Sequence, residues 1–176
     1  MKLMHFGVPK FLLNDNSNQE NDTKCKELYD TTAQENEQEA ANVEALIEAA
    51  KSGNLDQVQR LCEIIGVDAD LRGYMGWTAA HWAAREGHIA VLEYLQRIGT
   101  NLDTLDRRGD SLLHKAAANA QHDACEWLLQ HNFNVHAVNN NGMTPIDMVR
   151  ERAQQEKDLA SAQCEALLLK AYECTF

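Results

Sequence analysis

The sequence predicts an all-α repeat architecture in which each unit is a pair of helices joined by a tight turn. Three observations carry that reading. Gly76, Gly109 and Gly142 stand 33 residues apart. Each is followed in phase by a hydroxyl residue (Thr78, Ser111, Thr144) and then by an apolar one (Ala80, Leu113, Ile146). Further along, Ile89, Leu92 and Leu95 recur at helical spacing, and one period later Ala124, Cys125, Leu128 and Leu129 do the same. A constant period of this length marks stacked supersecondary units, so a residue is read first by its place in the repeat.

The elements are justified in chain order. Residues 1–39 are expected to form a disordered, acidic and polar tail, because 14–39 hold eight acidic and two basic residues with little to bury. Within it, Met4, His5, Phe6, Val8, Phe11, Leu12 and Leu13 form an apolar cluster. That cluster reads equally as a short motif for a partner or as a segment docking on the chain's own flank. Residues 40–175 form the repeat domain, with units at about 40–72, 73–105, 106–138 and 139–175. The first is imperfect: Ala49, Ala50 and Gly53 match Ala83, Ala84 and Gly87, with one residue inserted before Gly66. It reads as an N-terminal cap.

In the second unit Thr78 is placed to cap free N–H groups at a helix start, a contribution of about 1 kcal/mol. Ala83 and Ala84 keep the inner helix slim, Gly87 suits a left-handed turn, and Gly99 ends the outer helix. In the third, Ser111, Ala116 and Ala117 repeat the pattern and Asn132 replaces Gly99. Ala120 replaces Gly87, which predicts a remodelled junction there. In the fourth, Thr144 is the cap and Pro145 takes the first helical position, where a missing N–H does no harm. RERAQQEKD (150–158) reads as an enlarged loop, and a capping helix is expected through Ala162, Ala166, Leu167, Leu168 and Leu169.

GWTAAHWAAREGH (76–88) and GDSLLHKAAANAQ (109–121) resemble the ankyrin repeat, whose pattern runs Gly-x-Thr-Pro-Leu-His-x-Ala-Ala and then Gly-His. The resemblance covers about 40–175. It implies a solenoid of stacked helix-turn-helix pairs with β-hairpin-like loops, and a structural motif of Gly76, Thr78, His81, Gly87, Gly109, Ser111, His114, Gly142, Thr144 and Pro145. The family's histidine bonds the capping hydroxyl and neighbouring backbone, so His81 and His114 are read as structural. Asp147 takes that place in the last copy. The resemblance also implies protein binding through a concave face of loop tips and inner helices. The positions the family leaves free hold Tyr74, Met75, Trp77 and Arg85, then Arg107, Arg108, Asp110 and Asn119, then Asn140, Asn141 and Met143; Lys115 joins these contact candidates although it stands where the family usually places Leu. Trp77 points into the groove in this reading, with Tyr74 and Met75 completing an apolar anchor. Trp82 packs, Trp127 covers the core, and Lys115 reaches out toward the concave surface.

Other functions are disfavoured. A net charge of −11 opposes binding to nucleic acid or anionic membranes, and suits occlusion of a basic surface. No apolar run spans a bilayer, and MKLMHFGVPKFLL lacks the form of a signal peptide, so a cytosolic or nuclear monomer is expected. Five scattered cysteines without a CxxC pair fit reduced thiols. No metal, cofactor or catalytic residue is expected, because the histidines have neither zinc spacing nor a nucleophile that a helix cap leaves unexplained. The reading is therefore a non-catalytic adaptor that binds another protein. An inhibitor or regulatory subunit of a kinase or transcription factor is the alternative. HWAAREGH also resembles the ankyrin part of some membrane palmitoyltransferases, whose Asp-His-His-Cys segment and membrane spans are not found in this sequence, so the remote alternative is a fragment of such an enzyme.

Overall fold

The computed structural model describes residues 37–73, 75–156 and 158–174. Packing divides the chain after Gln38 into two units, of which Glu39–Phe176 holds the repeats. Among the described residues every regular element is helical. The first helix, α1, covers 37–52 of the described residues, so residues 37–39 are helical and exposed where a tail was expected. It is followed by α2 (Leu55–Arg60), α3 (Ala79–Glu86), α4 (Ile89–Arg97), α5 (Leu112–Ala118), α6 (His122–Gln130), α7 (Pro145–Gln155) and α8 (Leu159–Glu173).

Two rows result. α3 packs on α5 and α5 on α7, forming the inner row; α2, α4, α6 and α8 contact in succession as the outer row. Ala79, Ala80, Ala83, Ala84, Ala116 and Ala117 are buried between inner helices. The small side chains permit that close approach, while Val91, Leu92, Leu95 and Leu128 of the outer row join Leu112 and Leu113 of the inner row among the large, fully buried core residues.

The corners explain the period. Gly53 (φ 71) and Gly87 (φ 81) turn each inner helix into its outer partner. Both also admit the next repeat. A methyl on Gly53 would sit 2.5 Å from the His88 ring, which reaches back to within 3.0 Å of the Lys51 carbonyl. A methyl on Gly87 would meet the Gln121 amide at 2.6 Å. The third corner departs from the expected remodelling: Ala120 takes the left-handed conformation itself, at φ 54. Its N–H bonds the Ala117 carbonyl and the Gln121 N–H bonds Ala116, the pattern found at Gly87 and His88. Asn132 (φ 63) replaces Gly99 (φ 85) in the same way.

Two sequence irregularities have local solutions. The residue inserted before Gly66 is absorbed as a π-helical turn, Leu61–Ile65, which continues α2 and ends at Gly66 with φ 78. The enlarged loop expected at 150–158 is mostly helix instead. Arg150, Glu151, Arg152, Ala153, Gln154 and Gln155 all favour helix, and α7 runs on through them. Arg152 then pairs with Glu156 at 2.6 Å. In α8 the buried seam is Ser161, Cys164 and Leu168, while Ala162 and Ala166 face outward. Cys164 Sγ lies 4.0 Å from Cys125 Sγ in α6, both fully buried. That contact and burial together push the Cys125 thiol up.

Candidate interaction face

Each repeat opens with a turn whose tip precedes the inner helix. The Gly73 N–H bonds the Trp77 carbonyl at 2.9 Å, and Asp106 to Asp110 and Asn139 to Met143 repeat this at 3.0 Å. The three tips are the hairpin-like loops, and the Asn140 N–H joins two of them by bonding the Arg108 carbonyl at 2.9 Å.

Below each tip the cap is built as the motif requires. Thr78 Oγ1 lies 2.9 Å from His81 Nδ1, and Ser111 Oγ lies 2.8 Å from His114 Nδ1. The cap residue's own N–H points at the same nitrogen, at 3.3 Å in both repeats. Because Nδ1 accepts, the proton sits on Nε2, which in His114 donates to the Met143 carbonyl of the next repeat at 3.0 Å. His81 Nε2 has no hydrogen-bond partner of good geometry. Burial drives His81 down to about 4, the nearby Asp106 carboxylate only partly opposing it; His114 shifts the same way for the same reason. Both rings are neutral braces. In the last repeat Asp147 performs the cap, accepting from the Thr144 N–H at 2.9 Å and its hydroxyl at 2.7 Å. It has no second nitrogen to offer a further repeat.

Two expected contact residues are instead interior. Lys115 is 5% exposed and Asp110 1%. Lys115 lies on the inner helix directly behind its own loop, whose carboxylates Asp106 and Asp110 hold the ammonium at 2.6 and 2.7 Å. Asn139 from the next loop donates to the other Asp110 oxygen at 2.6 Å, and the Trp77 ring covers the ammonium at 4.2 Å. Lys115 therefore does not reach out, and Asp110 cannot meet a partner: each is consumed by the other. Burial pushes the Asp106 carboxyl up, but Lys115 and the N–H groups of Asp110 and Arg108 together hold it below its ordinary range.

The remaining candidates line the tips and the inner row. Met75, Arg107, Arg108, Asn140 and Asn141 are exposed; Trp77, Arg85, Asn119 and Met143 are half-buried. Tyr74 lies outside the described residues. Trp77 and Trp82 stack at 4.6 Å between centroids, inclined by 53°. Arg85 lies over both, at 5.8 and 5.3 Å, and Lys51 over Trp82 at 5.4 Å. Arg107 drapes along Gly76, whose missing side chain makes the room. Asn119 Nδ2 donates to the Arg85 carbonyl at 3.0 Å, and Asn140 Nδ2 to the Arg107 carbonyl at 3.3 Å. The sequence reading missed Leu105 and Val138, exposed apolar residues that share one repeat position just before Asp106 and Asn139. Their common phase was the available signal. Arg72 was also missed; it bonds the Gly76 and Leu105 carbonyls, tying one tip to the next.

Among the described residues no cluster of three His, Cys, Asp or Glu side chains could hold a metal ion, and no helix is long and apolar enough to cross a membrane.

Comparison with known proteins agrees with this geometry. A model described as "Ankyrin repeats (3 copies)" matches residues 10–106, and one described as "Ankyrin repeats (many copies)" matches 113–150. Palmitoyltransferase ZDHHC13 of Pongo abelii is 28% identical over 123 residues, 70% of this chain and 20% of that protein. Human ankyrin repeat domain-containing protein 40 is 38% identical over 68 residues, 38% of this chain and 18% of that protein. Rat diacylglycerol kinase zeta is 31% identical over 117 residues, 65% of this chain and 12% of that protein. The chain thus matches at most about a fifth of the length of these three relatives. With 33-residue corners, histidine caps and both model matches in agreement, the chain belongs to the ankyrin-repeat family, whose repeats are protein-interaction modules.

Proposed function

We propose that this chain is a non-catalytic adaptor that holds a partner protein against its loop tips and inner-helix row. The observation that carries the reading is the half-exposed Trp77–Trp82 pair, flanked by Arg85 and by the exposed Met75, Arg107 and Arg108. Aromatic residues and arginine dominate binding hot spots, and a scaffold already ordered by interlocking caps loses little entropy on association. The Ser111–His114 contact has the look of a nucleophile and base. However, His114 is fully buried and its second nitrogen is committed to Met143, so neither position for a substrate nor freedom to move a proton remains.

The test is site-specific photo-crosslinking from two exposed positions, Arg108 on a loop tip and Glu126 on the outer helix α6. Adducts should form from position 108 and disappear when Arg107→Glu is added to the same chain. Equal adducts from position 126, or adducts indifferent to the charge reversal, would overturn the proposal.

A further inference from the structure

We infer that the ligand of this face is an acidic, carboxylate-rich peptide segment of the partner; the inference rests on the face proposed above and names its chemistry. Although the chain as a whole carries a charge of −11, the donors on this face outnumber its acceptors. Among the described residues the indole N–H groups of Trp77 and Trp82 and the Arg107 guanidinium have no acceptor. Arg108 reaches only to 4.0 Å from Asp110, whose oxygens Lys115 and Asn139 already hold. Of the carboxylates nearby, Glu86 pairs with Arg85 at 3.0 Å and Glu48 with Lys51 at 3.4 Å, while Glu44 stands exposed beside Gly73, away from Arg107 and Arg108 in sequence and on the first tip alone.

The aromatic faces argue in the same direction. A cationic ligand would seek the π faces of Trp77 and Trp82, but Lys51, Arg85 and Lys115 of this chain already lie over them. What the indoles still present are their edges, which are electropositive and carry the N–H. Indole edges beside the Arg107 guanidinium and the long Arg108 pair form a surface for carboxylates, with arginine able to take them in bidentate fashion. The exposed Met75 supplies an apolar contact between them, so acidic residues interspersed with apolar ones fit best.

The experiment selects a random twelve-residue peptide display library on the full chain. Enriched peptides should be rich in Asp and Glu. A fluorescein-labelled example, followed by anisotropy, should lose affinity as salt is raised. It should lose at least about tenfold on R107E/R108E, at unchanged melting temperature because both side chains are exposed. The glutamine and asparagine version of the peptide should bind at least about tenfold more weakly. Basic or neutral peptides whose binding still falls with R107E/R108E would leave the face standing and overturn its carboxylate chemistry. Failure to enrich any peptide, or peptides indifferent to the reversal, would overturn the inference. A second variant replaces the six carboxylates between residues 15 and 35 by their amides. If acidic peptides bind only to that variant, the occupant is the chain's own segment and the partner peptide is overturned.

Discussion

Lys115→Met isolates the buried charge cluster. The substitution keeps the apolar stem and removes the ammonium that Asp106 and Asp110 hold at 2.6 and 2.7 Å, leaving two carboxylates 1% exposed on their side chains. Removing one partner of a buried pair costs about 3–5 kcal/mol, since the remaining charge is stranded. Here the loss is held to the lower half of that range, because Asp106 keeps the N–H groups of Arg108 and Asp110, and Asp110 keeps Asn139. At about 3 °C per kcal/mol for a domain of this size, the melting temperature should fall by roughly 10 °C at neutral pH. The pH dependence gives a second reading. In the parent protein Asp106 is held below its ordinary range, so its stabilisation is present above the unfolded-state pKa and is lost as pH falls through the lower folded value. Without Lys115, burial pushes the carboxyl up with less to oppose it, and protonation relieves the stranded charge. The gap between parent and variant should therefore narrow as pH is lowered from neutral toward the ordinary carboxylate range. Thermal melts by circular dichroism across that range measure both effects. A loss below about 1 kcal/mol, the size of an exposed ion pair, or a gap that widens in acid, would refute the account of Lys115 as an interior counter-ion.

Three other outcomes rest on single contacts. His81 is held at about 4 when folded against an ordinary 6.5, so its contribution should lower the stability of the domain as pH falls from 6.5 to 4 and stay constant below that, where the depressed carboxylates take over the loss. At about 1.4 kcal/mol per unit this amounts to about 3 kcal/mol, and His81→Gln should flatten that part of the profile in denaturant titrations. Gly53→Ala should cost about 2 kcal/mol, because φ 71 strains a side chain and the new methyl displaces the His88 ring from the Lys51 carbonyl; an unchanged midpoint in urea would contradict the interlocking corner. In the native protein Cys174 should react with maleimide well before Cys125 and Cys164, which are fully buried; mass spectrometry of partly labelled protein reads the order, and equal rates would show that α8 opens readily.

The repeat was legible because its corners are conformational demands. A left-handed turn selects glycine or, failing that, Asn132, so the phase of the fold is written in the residues themselves. Ala120 shows the limit of that logic. Its neighbours on both sides satisfy the repeat's hydrogen bonds, and tertiary packing holds an alanine at φ 54 where local preference alone would refuse it. The extension of α7 was misread for the opposite reason: 150–158 stood out only as extra length in the repeat and read as a loop, although Arg150 to Gln155 are good helix formers. The buried lysine was the harder case. A lysine where the family usually places Leu reads as reaching out to solvent, and its burial depends on Trp77 arriving from the preceding repeat and Asn139 from the following one. Asp106 and Asp110 just ahead of Lys115 hinted at a pair, but no local pattern says that the pair is roofed over.

That roof changes which residues can define binding. Trp77 serves two masters: its ring covers the Lys115 ammonium, and it also stands half-exposed against Trp82 and Arg85. A substitution there uncovers a buried charge as well as removing a contact, so weakened binding by a Trp77 variant would not by itself locate the partner. Arg107 and Arg108 are exposed, and they touch what lies beneath only where Arg107 lies along Gly76 and Arg108 reaches Asp110 at 4.0 Å. Their availability is also a product of the interior. Lys115 and Asn139 take up the Asp110 oxygens and leave Arg108 at 4.0 Å, too far for a strong charge-assisted bond. The lysine thus neutralises acids of its own loops, and by doing so it leaves the arginines above to seek carboxylates elsewhere.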